Sequence, residues 1–93
     1  MAIKSFHDKI TAALYDRQYV RSVSQALAIK AQRKLSELDA AHSLSDLSRP
    51  GNHLEALRGD REGQWSIRVN DQWRLCFVWQ DGHAHHVELT DYH

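Results

Sequence analysis

The sequence predicts an α+β fold in which two N-terminal helices pack on one face of a small antiparallel β-sheet. Three observations predict it. Apolar residues recur every three or four positions over the first 41 residues. From Trp65 onward they alternate with period two. Between the two regimes, Pro50-Gly51 carries the chain's one proline and marks a turn. The chain has 93 residues, enough for one core, so a single domain is expected over 1–93.

Each element follows in order. In "SFHDKITAALYD", Phe6, Ile10 and Leu14 stand at helical spacing, with Ser5 and Asp8 as a weak capping signal. From Ser22 to about Ala41, Val23, Leu27, Ala31, Leu35 and Leu38 trace one apolar face. Lys30, Arg33, Lys34 and Glu37 take the opposite side and read as solvated. In the back half, Trp65, Ile67 and Val69 share a face, as do Trp73, Leu75, Phe77 and Trp79, and then Val87 and Leu89. Keeping Ile67 beside Leu75 makes Asn70, Asp71 and Gln72 a three-residue loop; a two-residue loop would send Arg74 into the core. The same logic makes Asp81, Gly82 and His83 the next loop, with Phe77 beside Val87 and Leu75 beside Leu89. The apolar face must be covered, most simply by the helices.

Composition excludes several classes. One cysteine, Cys76, leaves no internal disulfide framework and no Cys-rich zinc site, and fits a reducing, cytoplasmic setting. No apolar run approaches a membrane span, and "MAIKSFHDKI" has no hydrophobic signal region, so neither membrane nor export is expected. "HAHH" at His83–His86 resembles a metal site. Along a strand, however, His83 and His85 face opposite to His86, and no acid or cysteine stands at ligand spacing, so no metal or other cofactor is expected. Formal net charge is zero, but unevenly spread. Residues 1–40 hold seven Lys/Arg against four Asp/Glu, residues 41–93 five against eight. A basic front half permits a polyanion contact without requiring one.

The polar side of the sheet is where chemistry collects. In the register above, Arg68 lies across from Arg74, and like charges side by side destabilise a sheet. A bound anion between them would compensate; so would bridges to Glu88 or Asp91. The loop "LRGDREG", from Leu57 to Gly63, brings Arg58 and Arg61 toward the same rim, and the chain ends on Asp91-Tyr92-His93. Arginine binds phosphate bidentately at any pH. Histidine exchanges protons near neutrality, and tyrosine can stack on a base. Together these groups suit RNA cleavage, which needs the 2′-hydroxyl deprotonated, the phosphate's charge stabilised and the leaving 5′-oxygen protonated. Cys76 reads as a small packing residue, and Trp65, Trp73 and Trp79 as core.

These residues carry a resemblance. "LEALRGDREGQWSIRVNDQWRLCFVW", followed by a chain ending in "VELTDYH", resembles the HigB-type toxins of the RelE/ParE superfamily, and the helical front half, with "KLSELDAA", is similar in layout. The resemblance implies a toxin of a type II toxin–antitoxin system: an mRNA endonuclease that enters the ribosomal A site on the 30S subunit. It also implies a HigA-like helix-turn-helix antitoxin that neutralises it, with operator DNA bound only through their complex. The family's catalytic set carries over onto Arg58, Arg74, Asp91, Tyr92 and His93. Arg61 and Arg68 match supporting motif positions. Where some relatives have a histidine, this chain has Glu55, and the nearest histidine is His53; on strand spacing the two share a side, and both are candidate RNA contacts. The alternatives are a non-catalytic module that binds only antitoxin and operator complex, and a ParE-like gyrase inhibitor. Neither needs a terminal proton-transfer group.

Overall fold

The computed structural model describes residues 1–91. Helix α1 spans Lys9–Tyr15 and helix α2 Gln25–Ala40; four strands follow, β1 (Glu55–Ala56), β2 (Trp65–Arg68), β3 (Trp73–Gln80) and β4 (His83–Asp91). The strands form one antiparallel sheet in the order β1-β2-β3-β4. Short 3-10 turns at Leu44–Leu47, Pro50–Asn52 and Gly59–Arg61 link the pieces. Leu14, Leu35, Leu38, Leu47, Ile67, Leu75, Phe77 and Val87 are fully buried between helices and sheet. The predicted α+β layering is therefore the observed one. Among the described residues no helix is long and apolar enough to cross a membrane.

The first helix starts later than the spacing of Phe6, Ile10 and Leu14 suggests. Asp8 is the N-cap, accepting from the Thr11 amide at 2.7 Å. Residues before it run alongside β4 instead, with parallel bridges Ile3–Ala84 and Phe6–Val87. Ser5, read as part of a cap, has other work: its hydroxyl accepts from the His86 amide at 2.9 Å and its carbonyl from the Val87 amide at 3.1 Å. Phe6 thus packs on the core from an extended segment, and Ile10 is exposed. Inside α1, buried Thr11 accepts from the Leu89 amide at 3.0 Å, so a helix hydroxyl satisfies a strand donor. Helix α2 is capped by Ser24, which accepts from the Leu27 amide at 3.2 Å. Leu27, Ala31, Leu35 and Leu38 are its buried face, as the periodicity requires.

The first hairpin keeps the expected register, Ile67 with Leu75 and Arg68 with Arg74. Asn70 closes its loop by accepting from the amides of Gln72 and Trp73, each at 2.8 Å. The second hairpin corrects the expectation. Its turn is two residues, Asp81 and Gly82, both at positive φ (54° and 79°), the pattern of a tight hairpin turn. His83 belongs to β4, opposite Gln80. A register shift between Cys76 and Val78, with His86 at φ 54°, absorbs the odd residue, and Leu75 still meets Leu89. The extra residue reverses the parity of β4 on its hairpin side, so buried Ala84 shares a face with Val87 while His85 stands opposite Val78 on the polar side, which strict alternation cannot reveal.

Candidate active site

The polar face is built in rows. Glu55, Ser66, Cys76 and Glu88 lie opposite one another across β1, β2, β3 and β4. One step nearer the first hairpin loop stand Arg68, Arg74 and Thr90. Arg74 leans back across the first row. Its Nε donates to Ser66 Oγ at 2.7 Å, and its Nη2 to the carbonyls of His53 and Ser66. Ser66 is fully buried, so the hydroxyl that receives Arg74 is held in place by packing. Arg68 turns the other way and donates to Asp71 in the loop. The like-charged pair is therefore relieved by protein acceptors, and no bound anion is needed to explain it.

Arg61 reaches the same face from the 3-10 turn Gly59–Arg61. Its Nη1 donates to Gln64 Oε1 and to Glu88 Oε1, both at 3.1 Å. His7 approaches Glu88 from the N-terminal segment at 4.0 Å. Arg58 precedes the turn and is exposed, beside a shallow depression lined by Glu55, Ala56, Leu57 and Arg58. Beneath Arg61 and Arg74 lies Cys76, fully buried. Burial pushes its thiol above the ordinary range, against a smaller pull from the Thr90 hydroxyl and the arginine charges. A protonated buried thiol is a floor for the site, not a nucleophile.

The remaining candidates divide. Glu55 is exposed in β1, on the polar face opposite Ser66. His53 is exposed with φ 45°, in the left-handed region, so strand alternation does not extend back to it from Glu55. Its carbonyl, not its imidazole, is tied to Arg74. Asp91 pairs with Trp73, which puts it on the Trp73–Leu75–Leu89 side of the pleat, and it accepts from Gln72 Nε2 at 2.9 Å. The sequence predicts that the chain's end brings Asp91 to the rim of the arginine face; Asp91 is at that end of the sheet, but on the opposite side of the pleat. Tyr92 and His93 lie outside the described residues.

With this geometry in hand, relatives can be compared. A family model for the RelE-like toxin HigB of type II toxin–antitoxin systems matches residues 4–93. The chain belongs to the HigB toxins. It is 34% identical over 91 residues to an endoribonuclease HigB of Proteus vulgaris, covering 98% of this chain and 99% of the relative. It is 44% identical over 81 residues to toxin HigB-1 of Vibrio cholerae, covering 85% of each. In fold it is similar to the chain in a YoeB–YefM complex from Staphylococcus aureus, with a TM-score of 0.62 at 18% identity, over 100% of this chain and 99% of that one. A HigB toxin of a type II system implies an antitoxin as partner.

Sequence reasoning missed two residues of this HigB toxin: Ser66, which bonds Arg74, and Asn52, which precedes the residue whose carbonyl does. Ser66 was legible: it stands diagonal to Arg74 in the predicted register, within reach of a long side chain. Asn52, immediately before His53, was not, because its partners come from helix α2 and from the turn after it. Lys34 and Glu37, read as a solvated face, are partly buried and bind Asn52.

Proposed function

We propose that this HigB toxin is a ribosome-dependent mRNA endonuclease, acting in the cytoplasm on the codon held in the A site of the 30S subunit. Its endoribonuclease character follows the family and the Proteus relative. The ribosome dependence and the residue roles are inferences from the site. What supports them most is Arg74, fixed on the polar face through buried Ser66 with a guanidinium that keeps its charge at any pH.

The reaction needs three things of the protein. A base removes the proton of the 2′-hydroxyl, whose oxygen then forms a bond to phosphorus. Arg74 and Arg58 stabilise the charge of the five-coordinate phosphate. An acid protonates the 5′-oxygen as its bond to phosphorus breaks, leaving a 2′,3′-cyclic phosphate and a free 5′-hydroxyl. His93 is the proposed proton-transfer group and Tyr92 the group that orients the nucleotide. Asp91, held by Gln72 across the pleat from Arg74, suits a role at the rim better than direct attack. Arg61 and Arg68, paired with Glu88 and Asp71, are supports whose partners an incoming phosphate would displace. His53 and Glu55 would flank the RNA.

The proposed partner is a HigA-like helix-turn-helix antitoxin, with operator DNA reached only through the complex. Expression of the toxin alone should slow growth, and primer extension should find cuts within codons only where ribosomes occupy the message. Equal cleavage of naked RNA would refute the ribosome dependence. A second reading, a non-catalytic module that binds antitoxin, draws on the pairing of Arg61 and Arg68 with nearby acids. Intact messages and unimpaired growth on expression without antitoxin would favour it.

A further inference from the structure

We propose that Asn52 is a positioning residue for Arg74, acting through the backbone of His53, and that it ties the arginine's placement to helix α2. The inference rests on the reading of Arg74 as a phosphate-stabilising group. Asn52 is 1% exposed, unusual for an amide, and its side chain is engaged at both ends. Oδ1 accepts from Lys34 Nζ at 2.5 Å; Nδ2 donates to Glu37 Oε2 at 2.6 Å and to the Leu47 carbonyl at 3.1 Å. Its own amide donates to the Arg49 carbonyl at 2.9 Å. These contacts fasten the turn Pro50–Asn52 to the outer side of α2.

The next residue shows what the anchoring does. His53 holds φ 45° and ψ 53°, a left-handed conformation that a side-chain-bearing residue keeps only where its surroundings impose it. In that conformation its carbonyl accepts from Arg74 Nη2, while Ser66 holds Nε from the other side. The guanidinium is thus gripped between a strand residue and a turn carbonyl, and the turn carbonyl is aimed by Asn52. Arg49, 4.0 Å from Glu37, adds a second tie between the turn and the helix. A one-ångström displacement of a charge-stabilising group costs a reaction up to about 10²-fold, even when its cause lies away from the chemistry.

The test is single-turnover cleavage on programmed ribosomes with toxin in excess, with thermal melts of every variant. Asn52→Asp sets a carboxylate against Glu37 and removes the donor to Leu47. It should slow the cleavage step by about 10- to 10²-fold, while half-saturation by toxin changes little. Adding Glu37→Gln returns a donor to face the new carboxylate and should recover most of the rate. In an Arg74→Ala background, Asn52→Asp should lower the melting temperature yet leave the already slow rate unchanged, because the two residues act through one group. An equal loss in both backgrounds, or full cleavage by a folded Asn52→Asp protein, overturns the inference while leaving Arg74 catalytic. Wild-type cleavage by Arg74→Ala overturns the Arg74 reading and this one with it. If Asn52→Asp does not fold, Glu37→Ala, which removes the acceptor and keeps the amide, carries the same comparison.

Discussion

The two faces of the sheet use the same strands for opposite purposes. On one face Ile67, Leu75, Phe77 and Val87 are fully buried under the helices. On the other, Ser66 and Cys76 are equally buried, and Arg74 reaches back over the strand to bond Ser66 while Arg61 and Arg74 act on the Cys76 thiol through their charge. Burial on the first side follows from removing carbon from water. On the second it follows from long cationic side chains folding over small polar ones and bonding to them. The first face should therefore govern stability and the second rate, and each can be perturbed separately.

The largest expected effect falls on rate. Removing His93 should slow cleavage by roughly 10²–10⁴-fold, the range of a positioned acid or base, with the melting temperature nearly unchanged. Single-turnover cleavage on programmed ribosomes measures it; cleavage at the intact rate would move proton transfer to another group. On the apolar face, Phe77→Ala should cost about 3–5 kcal/mol, a large part of a small domain's stability, read by denaturant titration. A loss well below that would mean the face is less tightly packed than its burial indicates. Arg74→Ala should lower the cleavage rate by about 10²–10³-fold while antitoxin binding persists. Because buried Ser66 loses a partner, it should also cost about 1 kcal/mol, so the separation of the faces is not complete. Unaltered toxicity would make Arg74 structural.

The smallest effect concerns pH. Burial raises the Cys76 thiol in the fold, so the folded protein keeps a proton that the unfolded chain gives up above about pH 8.5. Its contribution to stability is present at neutral pH and declines as pH rises through that region. Cys76→Ala should flatten the alkaline fall in melting temperature relative to wild type. Tyr15, whose phenol is raised by its hydrogen bond to Asp39 and by burial, adds a similar slope at higher pH in both proteins. Identical alkaline curves would mean the thiol is not buried in solution.

The sequence by itself determined the alternation and helical periodicity, and with them the layering, the apolar face and the pairing of Arg68 with Arg74. These are local properties: side-chain direction repeats every two residues in a strand and about every 3.6 in a helix, so a pattern of residue types states which side is wet. Only the tertiary structure decided the rest. The bulge at His86 depends on an N-terminal segment that bonds to it from 81 residues away in sequence. The two-residue strand Glu55–Ala56 has too few residues to show a period. Asp91 faces away from Arg74, as alternation from Leu89 already required, but its bond to Gln72 is a loop contact that no period records. Asn52 became buried because Lys34 and Glu37 of a distant helix meet its amide. A hydrogen bond between remote segments leaves no periodic trace in either one, because each partner alone is an ordinary polar residue.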